Sequence, residues 1–173
     1  MIISHEFCGI GIIEMQHEGK TNAAILKAVG WREWVQLPDL VDVPIKAKVD
    51  TGAKTSSLHA FFIEPYMKDG KPWVKFLLHP NQNDYDIEVE CHSAVSDKRD
   101  VSDSGGHKEN RYVIESTILL GKEVLIAELT LTDRDSMSFR MLLGRNLLRG
   151  AYLVDSGSSF LMGGTTKLPD LPK

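Results

Sequence analysis

The stretch Val49-Asp50-Thr51-Gly52-Ala53, answered downstream by Leu142-Leu143-Gly144-Arg145-Asn146-Leu147-Leu148, decides how this chain is read. Just upstream, Ile45, Ala47 and Val49 alternate with Lys46, Lys48 and Asp50, the period of two that marks a half-buried strand. Such a strand ends by delivering the Asp50 carboxylate at its tip. The Thr51 hydroxyl can bond back to main chain, and Gly52 permits a tight turn beside a bound molecule. The later apolar-apolar-Gly run reads as a short buried strand packed next to that turn.

Working outward, the pattern stays β. Residues 31–37 form a strand ended by Pro38, and 58–63 continue the chain after the turn. Residues 73–78 follow the turn signal Lys68-Asp69-Gly70-Lys71-Pro72, and 87–95 make a further strand. The polar segment 96–110, with Gly105-Gly106, reads as a loop or an exposed hairpin tip. Residues 112–120 and 124–132 form a hairpin around Gly121-Lys122. Residues 141–143 are short and apolar, 146–149 begin a short helix, and 151–154 and 159–162 are late strands. Residues 21–28 suit a short helix. The expected architecture is all-β, a closed barrel with one short helix. The chain divides into an N-terminal extension (1–28), one domain (29–165) and a C-terminal tail (166–173) that carries Pro169 and Pro172.

The 173 residues suffice for a single hydrophobic core. Lys+Arg total 20 against Asp+Glu 24, a formal net charge of −4, which argues against broad nucleic-acid binding. Cys8 and Cys91 lie far apart and read as reduced thiols. Residues 1–15 have no Lys or Arg before their apolar part and are interrupted by Glu6 and Glu14, a poor secretory signal. No apolar run approaches the roughly 18 residues of a membrane-spanning helix. The expected location is the cytoplasm.

The run Asp50-Thr51-Gly52-Ala53 with Leu143-Gly144-Arg145-Asn146-Leu147-Leu148 resembles the retropepsins, the homodimeric aspartic proteases of retroviruses. Two longer stretches are similar to a narrower group. They are Val29-Gly30-Trp31-Arg32-Glu33-Trp34-Val35-Gln36-Leu37-Pro38 and Ile45 through Ala60, which includes Lys54-Thr55-Ser56-Ser57-Leu58-His59. That group is the bacterial retropepsin-like family labelled ATP-dependent zinc proteases, some of which are linked to the enzyme that adds glutamates to a ribosomal protein. The resemblance runs from about residue 28 to about residue 163. It implies a retropepsin-like (acid protease) barrel and an aspartic-type endopeptidase in which Asp50, Thr51 and Gly52 form the catalytic loop. In that chemistry two carboxylates share a proton, one acting as base toward a water and the other donating to the scissile carbonyl.

One chain supplies one such loop. Asp155-Ser156-Gly157 is the tempting second, but only 18 residues follow Asp155 (173 − 155 = 18), too few for another lobe. Asp155 therefore reads as a turn, and the second carboxylate as Asp50 of another copy in a homodimer. Segment 96–111 is the candidate cover over the site, with Gly105 and Gly106 at its tip. The alternatives are a non-catalytic retropepsin-like interaction module and a zinc-dependent peptidase.

The chain departs from the retropepsin pattern at Lys54, where an acidic residue is expected to pair with the arginine of the Gly-Arg-Asn run. Lys54 and Arg145, with Ala53, Gly105 and Gly106, are accordingly expected to bind substrate, an acidic peptide or a glutamylated ribosomal tail. The plainer alternative pairs Arg145 with Asp133 or Asp135. No cofactor or metal is expected: the histidines (His5, His17, His59, His79, His92, His107) share no ligand spacing, Cys91 and His92 point to opposite strand faces, and no nucleotide-binding Gly-Lys-Ser/Thr loop occurs. His59 and the tryptophans Trp31, Trp34 and Trp73 read most simply as structural residues.

Overall fold

In chain order the elements are β1 (Lys27–Gly30), β2 (Arg32–Leu37), β3 (Val41–Val49), β4 (Ser56–His59), β5 (Phe61–Lys68) and β6 (Lys71–Leu78). They continue with β7 (Val89–Ser102), β8 (Lys108–Leu120), β9 (Glu123–Thr132), β10 (Met141–Leu143), α1 (Arg145–Leu148) and β11 (Tyr152–Asp155). They come from a computed structural model that describes residues 25–82, 85–102, 106–133 and 139–163.

The period-two pattern before Asp50 becomes β3, in which Ile45, Ala47 and Val49 are buried and Lys48 is exposed. Strand β2 repeats the alternation, burying Glu33, Val35 and Leu37. The strands run β2-β3-β10-β4-β9-β8, and β8 pairs again with β2 through Val35 opposite Leu120 and Gln36 opposite Leu119. Six strands thus close a retropepsin-like barrel, while β7, β6 and β5 extend from β8 as an outer sheet. A register shift between Val35 and Leu37 lets β2 turn from one neighbour to the other. The core includes Val35, Ile45, Leu58, Phe76, Ile118, Leu129, Met141 and Leu143. Among the described residues the single short helix is α1, one residue earlier than the sequence reading placed its start.

Four local expectations are corrected. Residues 58–63 do not form one strand: β4 ends at His59, inside the barrel, and the Ala60 N–H donates to the Thr132 carbonyl. Phe62, at a φ of 48°, then breaks the register, and β5 leaves for the outer sheet. The polar segment 96–110 is mostly strand, because β7 and β8 stay paired from Val95 opposite Ile114 to Ser102 opposite Lys108. Its polarity comes from running into solvent, beyond the core. Ala28, at the end of the segment expected to be helical, lies in β1, which pairs in parallel with β11.

Residues 159–162, expected as a strand, instead follow the buried Glu33. Its carboxylate accepts from the N–H groups of Leu161 (2.9 Å) and Met162 (3.2 Å), and from that of Gly30 (2.6 Å). A side chain thus takes the donors a strand partner would have used. Fully buried, Glu33 ties the entry of β2 to the segment after β11. Glu33→Gln is expected to lower unfolding free energy by about 2–3 kcal/mol, since bonds to a charged acceptor are the strong kind. Chemical denaturation measures this, and an unchanged midpoint would show that the carboxylate anchors nothing.

Candidate functional site

The Asp50 turn is held by its own backbone and by the run that follows β10. The Asp50 N–H donates to the Leu143 carbonyl at 2.9 Å, which places the residue at the end of β3 beside β10. One carboxylate oxygen, Oδ1, accepts from the N–H of Gly52 (2.9 Å) and of Ala53 (3.2 Å), an Asx turn that fixes the side chain. The N–H groups of Arg145 and Asn146 donate to the carbonyls of Ala53 and Lys54, and the Gly144 N–H donates to the Ser56 hydroxyl. Gly144 has to be glycine, because a Cβ there would stand 2.5 Å from the Thr55 carbonyl carbon.

Among the described residues Arg145 takes no acidic partner. Its Nη1 donates to the carbonyls of Thr51 (2.9 Å) and Gly52 (3.0 Å). Asp133 is not its partner, and Asp135 lies outside the described residues. The guanidinium therefore straps the turn through neutral acceptors and keeps its net charge. Lys54 is exposed and makes no ion pair among the described residues.

These groups open onto one groove of about 520 Å³. Asp50, Gly52, Ala53, Lys54 and Arg145 line one wall, and Ser57, Thr130, Thr132 and Leu142 line it from the barrel. The opposite wall is the β7–β8 hairpin, through Arg99, Asp100, Val101, Ser102 and Arg111. The hairpin expected to cover the site does reach it, by its arms. Gly106, at a φ of 80°, sits at the exposed tip and does not line the groove, and Gly105 lies outside the described residues.

Arg99 and Arg111 were missed by sequence reasoning. They face each other across the hairpin as Cα partners, a relation set by register. Arg111 is buried, with its Nε on Glu109 at 2.8 Å, and the same carboxylate oxygen accepts from the Thr132 hydroxyl at 3.2 Å. Arg99 donates through Nε to Asp97 (2.5 Å) and through Nη2 to Glu128 (2.9 Å). The bond to Glu128, with that to Asp97, raises the Arg99 pKa above its already high ordinary value.

Asp155 ends β11 in a turn of the same form, its Oδ1 accepting from the Gly157 N–H at 2.8 Å. The Ser158 hydroxyl and the Gly157 N–H hold its pKa below the ordinary 3.8. Asp155 does not line the groove. A second cavity of about 520 Å³ is lined by Phe61, Phe62, His79, Tyr85 and Asp133, away from the Asp50 turn. His59 is buried and stacks on Phe61.

Among the described residues the donor set does not fit a zinc ion: no three His, Cys, Asp or Glu side chains converge. His92 lies between the Tyr66 hydroxyl and Glu90, and His79 Nδ1 faces the Ile87 carbonyl. Burial, with the charge of Glu90, pushes the Cys91 thiol up to about 11, so it stays protonated at neutral pH. No described helix is long and apolar enough to cross a membrane.

Residues 28–164 match the RimB-like family, described as "Retropepsin-like aspartic endopeptidase RimB". A protein from Shewanella pealeana named "Probable alpha-L-glutamate ligase" is 50% identical over 135 residues, 78% of this chain and 30% of that protein. Proteins of the same name from Parasynechococcus marenigrum and Desulfotalea psychrophila are 47% and 43% identical, covering 78% and 82% of this chain and 29% and 30% of theirs. The chain thus spans about 30% of the length of these relatives. The crystal structure of a protein of unknown function from Legionella pneumophila superposes with a TM-score of 0.65 at 28% identity, covering 79% of this chain and 98% of that one.

The relatives correct the expected activity. At 43–50% identity they are named for an alpha-L-glutamate ligase, and none of these names is that of a peptidase. The family description names an endopeptidase and the relatives' names a ligase, so the two disagree on the reaction. The identities are high and cover most of the chain, so the hydrolase reading gives way, together with the water held between two Asp50 carboxylates. The reason for requiring a second copy goes with it.

Two outcomes check the site. Arg145→Ala removes both bonds to the Thr51 and Gly52 carbonyls and is expected to lower stability by about 1–2 kcal/mol, read by chemical denaturation. Cys91 in the folded chain is expected to resist alkylation at neutral pH and to react once denaturant exposes it, as peptide mapping by mass spectrometry would show.

Proposed function

The chain belongs to the RimB-like family, and from that premise we propose that its barrel serves alpha-L-glutamate ligation as the module that holds the acidic peptide. In each ligase-named relative the matched region is about 30% of a longer chain, which suits a module working beside the part that forms the bond. The chemistry of the groove supports the same reading. A glutamate chain carries a carboxylate on every residue, and the groove offers Lys54, Arg99, Arg111 and Arg145 against Asp50 and Asp100.

The observation that carries the proposal is the pair Lys54 and Arg145. Both stand beside the Asp50 turn, and among the described residues no acid neutralises either. In a chain of formal net charge −4, positive charge left open on one wall is a local feature, suited to drawing in an anionic ligand. Arginine adds a fork that matches a carboxylate in shape. Asp50 then faces the ligand as a fixed acceptor for peptide N–H groups, its Oδ1 already held by the turn. The cytoplasm is the proposed location, in keeping with Cys91, a free protonated thiol.

The test is binding of fluorescent α-linked hexa-L-glutamate to the full chain, followed by anisotropy against hexa-L-glutamine. Hexaglutamate is expected to bind selectively and to weaken as salt rises. Lys54→Glu is expected to weaken it by roughly tenfold, about 1.4 kcal/mol, with little effect on the neutral peptide. Equal affinity for both peptides would overturn the reading, and so would shortening of hexaglutamate by the chain alone.

A further inference from the structure

We propose that Arg99 is a specificity-determining residue of the groove, held in reserve by Asp97 and Glu128 until a ligand carboxylate replaces them. The inference rests on the acidic-peptide reading and adds to it a residue and a competition built into the protein.

The two arginines of the hairpin wall are opposite each other in register yet differ in their hold. Arg111 has a side-chain exposure of only 7%, and its partner Glu109 also receives the Thr132 hydroxyl. Glu109 is thereby tied to β9 through Thr132, and Arg111, almost wholly buried against it, has little room to turn toward a ligand. Arg99 is 32% exposed, and its partners Asp97 and Glu128 are 46% and 41% exposed. Exposed ion pairs contribute only about 0.2–1 kcal/mol, because water serves the separated charges nearly as well. Exchanging one carboxylate for another at Arg99 therefore costs little.

The geometry of the hold gives the incoming carboxylate an advantage. On a guanidinium, Nε and Nη2 form one side of the fork, the side a single carboxylate takes with two parallel bonds. At Arg99 that side is divided: Nε goes to Asp97 and Nη2 to Glu128. Each acid makes one bond, from a different strand. A glutamate side chain in the groove can take both donors at once and release Asp97 and Glu128 to solvent. A neutral side chain cannot displace two anions from a cation. Lys54 and Arg145 attract any anion, whereas Arg99 admits only a ligand able to outcompete two resident carboxylates.

The experiment measures labelled hexa-L-glutamate binding to the full chain at constant ionic strength, with thermal melting to confirm folding of every variant. Arg99→Gln is expected to weaken hexaglutamate roughly tenfold. The double variant Asp97→Asn, Glu128→Gln is expected to tighten it roughly threefold to tenfold, by removing the competitors. That gain should vanish when Arg99→Gln is added. A gain that persists in the Arg99→Gln background would be an effect of overall charge and would overturn the proposal. Weakening by Lys54→Glu with no change on Arg99→Gln would overturn the role of Arg99 while leaving the acidic-peptide reading in place. Absence of hexaglutamate binding in every form would overturn both.

Discussion

The close approach of Gly144 to Thr55 is the constraint on which the site depends. With no side chain at 144, the backbone leaving β10 passes under the Asp50 turn and donates in succession to Ser56, Ala53 and Lys54. The same run places β10 between β3 and β4, parallel to one and antiparallel to the other. Barrel wall and functional turn are therefore one construction. A Cβ at 144 would push apart two strands as well as the loop that carries the carboxylate.

Arg145 shows how that frame accommodates a change in its chemistry. Lys54 stands where an acid would pair with this arginine, and the arginine has turned to the carbonyls of Thr51 and Gly52. The turn keeps its strap through neutral acceptors, and the wall keeps two positive charges. Facing it, the hairpin carries Arg99 and Arg111 with acids already bound. One wall carries positive charge without acids and the other carries arginines with acids in place, a difference that follows from where the counter-charges lie. The retropepsin-like scaffold is that of the family whose model the chain matches.

Much of the architecture was legible because period-two burial is a local property. The alternation at 45–50, the hairpin around Gly121-Lys122 and the short apolar 141–143 all lie where the pattern placed them. Legibility ended where a residue took an unusual partner. Nothing local announces that Glu33, at a core position of β2, will capture the amides of Leu161 and Met162 and keep that segment out of a strand. The break at Phe62 is equally hidden, since a strand-forming residue there adopts a φ of 48° as the chain changes sheet.

The sequence by itself determined the β character, the Asp50 turn, the companion run ending in Leu148 and the anomaly at Lys54, because each is carried by neighbouring residues and their spacing. Only the tertiary structure decided that β2 closes the barrel on β8, that Arg145 binds carbonyls, and that Arg99 and Arg111 face Lys54 across a groove. Those facts depend on strand register and on distances between residues far apart in the chain. A shift of one position in the β7–β8 hairpin would turn both arginines away from the groove, and no local pattern fixes that register.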